Sequence, residues 1–153
     1  MNRLNLWKVP AYGMLSGFMC HLLLVYVLGR LAIVTLPDGS ITVDNGRWML
    51  LSAILFVIVL AVGWVLFRAL PRRELLVSAS ILVGLNVLFG VLSAATNGSW
   101  YSISEWDSIV SQLLNAAGVN MWASTIITWL LPPYIFVLFG RRSVDGGKKE
   151  ESE

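Results

Sequence analysis

Few polar side chains stand inside the long apolar stretches of this 153-residue chain, and three of them, His21, Asn86 and Thr128, are where chemistry there would begin. His21 lies among Cys20, Leu22, Leu23 and Leu24, with no charged residue from Val9 to Gly29. A polar group surrounded by hydrocarbon is costly to keep and is a functional candidate by default. An imidazole there can carry a proton or touch a ligand, but a histidine with no carboxylate partner makes a poor relay. The plainer reading is a ring hydrogen-bonded to a neighbouring helix. Asn86 is central enough in its own apolar stretch to meet His21 across an interface, where each satisfies the other. Thr128 completes the set through Pro132 and Pro133, which free the carbonyls of Thr128 and Trp129 four residues earlier. Freed carbonyls coordinate a cation or substrate in the broken helices of transporters. More often such a pair makes a kink, repaired by hydroxyls such as those of Ser124, Thr125 or Thr128, or by a water. His21, Asn86 and Thr128 are therefore the candidate intramembrane polar site, with helix-to-helix bonding as the alternative at each.

Other chemistries lack their residues. No H-E-x-x-H, G-x-S-x-G or phosphate-binding glycine loop occurs, so no catalytic, cofactor or metal residues are expected and the chain is read as non-enzymatic. Asp38, Asp44, Glu105 and Asp107 fall in connections between apolar blocks, where carboxylates are usually solvated. An acid pair drawn from them is the one hydrolytic arrangement left open. Lone Cys20 allows neither an internal disulfide nor a thiolate metal cage. The basic residues are scattered in small clusters, not drawn into one stripe, which argues against nucleic acid as a partner.

The elements that must position these residues follow from composition. Apolar residues make up 57% and charged residues 13%, with a mean hydropathy of +0.75, which exceeds what a water-soluble core needs. Uncharged intervals run from 9 to 29, 48 to 67, 75 to 104 and 108 to 140. Each reaches the roughly 20 residues that a helix needs to cross a bilayer. Backbone groups in lipid are satisfied only by helices or a closed barrel, and these blocks do not alternate as barrel strands would. The fold class is thus an all-α membrane protein, a four-transmembrane-helix bundle with helices near 8–31, 47–69, 73–95 and 119–139. It forms one domain over 1–140, followed by a disordered cytoplasmic tail over 141–153.

Two connections carry structure of their own. Ile33-Val34-Thr35 and Ile41-Thr42-Val43 flank a Pro-Asp-Gly turn, which predicts a small outer β-hairpin. The last uncharged interval is too long for one crossing. Ser104 can cap a helix in which Trp106, Ile109, Val110, Leu113 and Leu114 oppose Ser108, Ser111, Gln112 and Asn115, and Gly118 can end it. This predicts a short amphipathic helix lying in the outer interface. Trp106 then joins Trp48, Trp100, Tyr101 and Trp122 in an outer aromatic belt. Small residues four apart let helix backbones approach, which marks Gly13 and Gly17 on the His21 face, and Ser80, Gly84 and Gly90 on the third helix, as packing positions.

With both termini cytoplasmic, nine Lys and Arg residues fall inside and two, Arg30 and Arg47, outside, as the positive-inside rule requires. The expected location is a cell membrane, multi-pass, and specifically a bacterial cytoplasmic membrane. The lipid bilayer is the expected partner, with a second copy or another membrane protein beside it. The expected role is that of an accessory or interaction protein. The alternative, from another class, is a small carrier or channel using His21, Asn86 and Thr128, and a water-accessible cavity reaching His21 separates the two.

Overall fold

The computed structural model describes residues 3–96 and 106–141. The tail beyond Arg141, the Ser104 cap and the belt residues Trp100 and Tyr101 lie outside the described residues. The chain is mostly helical with one small sheet. Four spans are long and apolar enough to cross a membrane: Leu4–Ala32, Asn45–Phe67, Arg72–Ala95 and Met121–Phe139. They fall on the four uncharged intervals because only there does an unbroken run of Leu, Val, Ile, Ala and Phe exceed the helical crossing length.

The first span is composite. A turn of helix α1 (Arg3–Leu6) leads into α2 (Lys8–Leu22), a π-helical stretch over Leu23–Leu28, and α3 (Gly29–Ala32). Gly29 donates its amide to the carbonyl of Leu24, five residues back, and a Cβ on Gly29 would stand 2.5 Å from that oxygen. The wide turn therefore closes at the residue with no side chain. The hairpin follows, β1 (Ile33–Thr35) antiparallel to β2 (Ile41–Val43), with Val34 opposite Thr42. Gly39 takes φ of 81° in the turn, and the Asp38 carboxylate accepts from the Ser40 amide at 2.9 Å and the Ser40 hydroxyl at 2.7 Å. Those two donors hold the Asp38 carboxyl below its ordinary range. Asp44 then caps α4 (Asn45–Phe67) by accepting from the Arg47 amide.

At the other end, Arg68 to Pro71 turn the chain into α5 (Arg72–Ala95). Here the contacts are polar and paired. Ser78, on α5, donates its hydroxyl to the Leu6 carbonyl at 2.6 Å and accepts from the Val9 amide at 3.2 Å, while Asn5 donates to Glu74 at 2.7 Å. The Arg72 guanidinium donates to the carbonyls of Gly140 at 3.0 Å and Leu138 at 3.4 Å, capping the end of the last span. Between the two ends the spans meet through small residues and rings. A Cβ on Gly13 would touch the Leu82 side chain, and one on Gly90 would overlap the Trp129 indole. Gly17 is buried as well. Gly84 meets no other helix among the described residues, since the buried stripe of α5 runs through Leu82, Asn86, Gly90 and Ser93 and Gly84 faces away from it.

The short helix is present as α6 (Ser108–Ala116), ended at Gly118 with φ of 85°. Its placement corrects the expectation of an outer interfacial helix. Trp106, just before it, is only 2% exposed and stacks on Phe56 with ring centroids 5.8 Å apart, then on Phe136 at 5.3 Å. Phe56 lies eleven residues into the 23-residue α4, about 16 Å from its start. The segment thus enters the bundle about halfway along it, and α6 climbs back to the hairpin end, where Gln112 donates to Ser52. Trp106 accordingly belongs to the core and not to an aromatic belt. The polar stripe that looked suited to water is used instead against α4 and the following helix.

Candidate functional site

The last span is divided by its prolines into α7 (Met121–Leu130), a 3₁₀ turn over Pro132–Tyr134, and α8 (Ile135–Phe139). Asn120 caps α7 by accepting from the Trp122 amide, and Ser124 donates to the Asn115 side chain at 2.6 Å, which ties α6 to α7. The break resolves two of the three candidate residues. Asn86 donates to the carbonyl of Trp129 at 3.3 Å, the carbonyl that Pro133 deprives of its helical donor. Thr128 donates its hydroxyl to the Ser124 carbonyl at 2.8 Å. Asn86 and Thr128 are therefore both engaged with α7 backbone, at carbonyls five residues apart. His21 lies on α2, half-buried, on the face that carries Gly13, Gly17 and Leu24.

The residues that stand out chemically are others. Trp106 and Asp107 open α6, and the side-chain atoms Trp106 Nε1, Asp107 Oδ1 and Asp107 Oδ2 are buried without a hydrogen-bond partner. Asp107 is 1% exposed and occupies the N-cap position of α6 without making the cap bond that Asp usually makes there. A charged carboxylate in such surroundings has to be neutralised by a proton or a cation. The residue before it is aromatic, and Phe136 joins Trp106 to Tyr12, Phe67 and Phe139 in a continuous ring cluster. Sequence reasoning put Asp107 among solvated loop carboxylates because it flanks an uncharged interval. The available signal was the excess length of that interval, which required an extra element without saying where it went.

Two cavities flank α6. One, of about 420 Å³, lies between α5, α6 and α7 and is lined by Gly90, Ser93, Ser111, Thr125, Trp122 and Trp129 among others. Its wall is mostly apolar, with neutral hydroxyl and amide groups at intervals. The other, of about 340 Å³, lies between the start of α4 and the end of α6, with Trp48, Met49, Gln112 and Asn115. His21, Asn86 and Thr128 line neither. Among the described residues no three His, Cys, Asp or Glu side chains gather as a metal site would need. Comparison with protein-family models, with curated proteins and with solved structures found no match.

Proposed function

We propose that the chain is a non-enzymatic multi-pass membrane protein of the carrier or binding class, which takes a small neutral amphipathic molecule into the cleft between α5, α6 and α7. The observation that supports this reading is the cleft itself: its volume lies in the range of small-molecule sites, and it combines two indoles with scattered uncharged hydrogen-bonding groups. A helix that starts about halfway along a bundle suits the same class, because a helix end at membrane depth is tolerated only where protein buries it or a cavity borders it. This reading uses the cleft and not the His21, Asn86 and Thr128 site, which lines neither cavity, while the purely accessory role draws on short connections and the missing catalytic motifs and gives the cleft no purpose. In this reading the arginine-rich turn faces the cytoplasm and the β-hairpin the outside, on the nine-to-two distribution of positive charge, and a bacterial cytoplasmic membrane is the host.

The test is thermal unfolding of the purified protein in mild detergent, titrated with 4-phenyl-1-butanol as a neutral amphipathic probe. We expect a saturable rise in the unfolding temperature that Ala94→Trp, which fills the cleft, abolishes. An equal response in both proteins would overturn the cleft as the site.

A further inference from the structure

We propose that Asp107 is a reversible proton-binding site, at which the fold-back of α6 into the bundle is linked to uptake of one proton. The proposal goes beyond the cleft reading and stands without it, since Asp107 does not line that cleft. Both carboxyl oxygens are buried and unpartnered at the start of a nine-residue helix, and the adjoining indole N–H is an unused donor.

The surroundings favour a proton over the other neutralising partners. α4 carries no charged residue between Trp48 and Phe67, α5 none from Leu75 to Ala95, and the last span none from Met121 to Phe139. The charged groups on these elements stand at their ends: Arg47 of α4 beside Asp44, Arg72 on the Gly140 and Leu138 carbonyls with Arg73 and Glu74 next to it on α5, and Lys8 at the start of α2. The remaining titratable groups are Tyr134, shared with Ser80, and, on α2, Tyr12, Cys20 and His21. Tyr12 gives its hydroxyl to the Val59 carbonyl. Among the described residues none of these ammonium or guanidinium groups bonds to either Asp107 oxygen. A metal cation needs several oxygen ligands and meets the positive end of the α6 dipole, whereas a neutral carboxyl meets neither difficulty.

The balance is simple: Asp107 carboxylate plus a proton gives the carboxylic acid, with no other bond made or broken. The acid tolerates burial without a partner better than the anion does. Losing the proton therefore favours an arrangement in which water or the Trp106 N–H reaches the carboxylate. Proton occupancy and the position of the α6 start thus bias each other.

Dicyclohexylcarbodiimide, an apolar reagent that attacks protonated carboxyls in apolar surroundings, tests this on the wild-type full chain in liposomes, read by peptide mass spectrometry. Between about pH 6 and 8 we expect Asp107 to be modified at least about tenfold faster than Asp38, Asp44 or Glu74, with the rate falling as pH rises. A water-soluble carbodiimide should show the reverse preference. Failure of the apolar reagent to modify Asp107 over that range, or equal modification of Asp107 and Asp38 by both reagents, would overturn the proposal. So would protection of Asp107 by sodium chloride but not by choline chloride, which would assign the site to a metal cation. Because the readout is chemical labelling of the wild type, it does not depend on a variant that folds.

Discussion

At the arginine-rich end of the bundle, Ser78 bonds to both Leu6 and Val9 and Arg72 caps the final carbonyls, while halfway up, the carboxyl of Asp107 and the indole N–H of Trp106 have no hydrogen-bond partner among the described residues. The two regions lie in one bundle and share the ring cluster around Phe136. Their difference separates polar groups that hold a fold from polar groups that await something. A satisfied buried bond contributes about 1 kcal/mol and loses more when one partner goes. An unsatisfied one costs free energy in the resting protein, and its persistence requires an explanation outside stability.

The largest expected effect comes from removing the ring that joins the two regions. Phe136 is fully buried against Tyr12, Phe67, Trp106 and Phe139. Phe136→Ala should cost about 3 to 5 kcal/mol, seen as a lowered unfolding midpoint in detergent. An effect under about 1 kcal/mol would mean that the cluster does not connect the regions.

Next in size is Ser78→Ala, which leaves the Val9 amide without its side-chain acceptor and the Leu6 carbonyl without its donor. A loss of about 1 to 3 kcal/mol is expected by the same measurement. Asp107→Asn provides the contrast. It keeps the shape and removes the charge, so stability at neutral pH should change by under about 1 kcal/mol or rise. If Asp107→Asn destabilises as much as Ser78→Ala, the tip is a structural region like the other end and the comparison collapses.

Asn86→Leu should fall between these, at about 0.6 to 1.7 kcal/mol, the range of side-chain hydrogen bonds between membrane helices. Unfolding midpoints of Asn86→Leu alone and combined with Pro133→Ala check it. Restoring the helical donor to the Trp129 carbonyl should shrink the penalty.

The smallest effect lies outside the bundle. Ser40→Ala removes the hydroxyl that helps to hold the Asp38 carboxyl below its ordinary range. That carboxyl should titrate closer to the ordinary value in the variant, by NMR. Because its folded value is lowered, its contribution to stability is present above the unfolded value and fades as pH falls through the folded one.

Much of this architecture can be read from the chain. Charge-free intervals locate the four spans, Pro37-Asp38-Gly39 locates the hairpin, and Gly118 marks where α6 ends. The course of α6 cannot be read in the same way. An amphipathic stripe of Ser111, Gln112 and Asn115 looks identical whether it meets water or polar groups on other helices. Only the tertiary partners, Ser52 and Ser124, decide between them. The candidate site suffered from the same ambiguity. Asn86 was identifiable as a polar group needing a partner, and the prolines as a source of orphaned carbonyls, but their pairing with each other depends on how α5 and α7 are set side by side. Asp107 escaped notice because position next to a charge-free interval says nothing about depth.

The Arg72 clamp joins the α4–α5 turn to the last residues before Arg141 through two side-chain bonds and two backbone bonds, Arg72 to Arg141 and Arg141 to Leu70. In mechanical terms this is a hinge pin: Arg141 itself is held beside the turn and cannot swing free of the second and third spans. A spin label or fluorophore on a short linker at position 140 or 141 would report motions of that helix pair. Tension applied through it would load α4 and α5 before it reached α6.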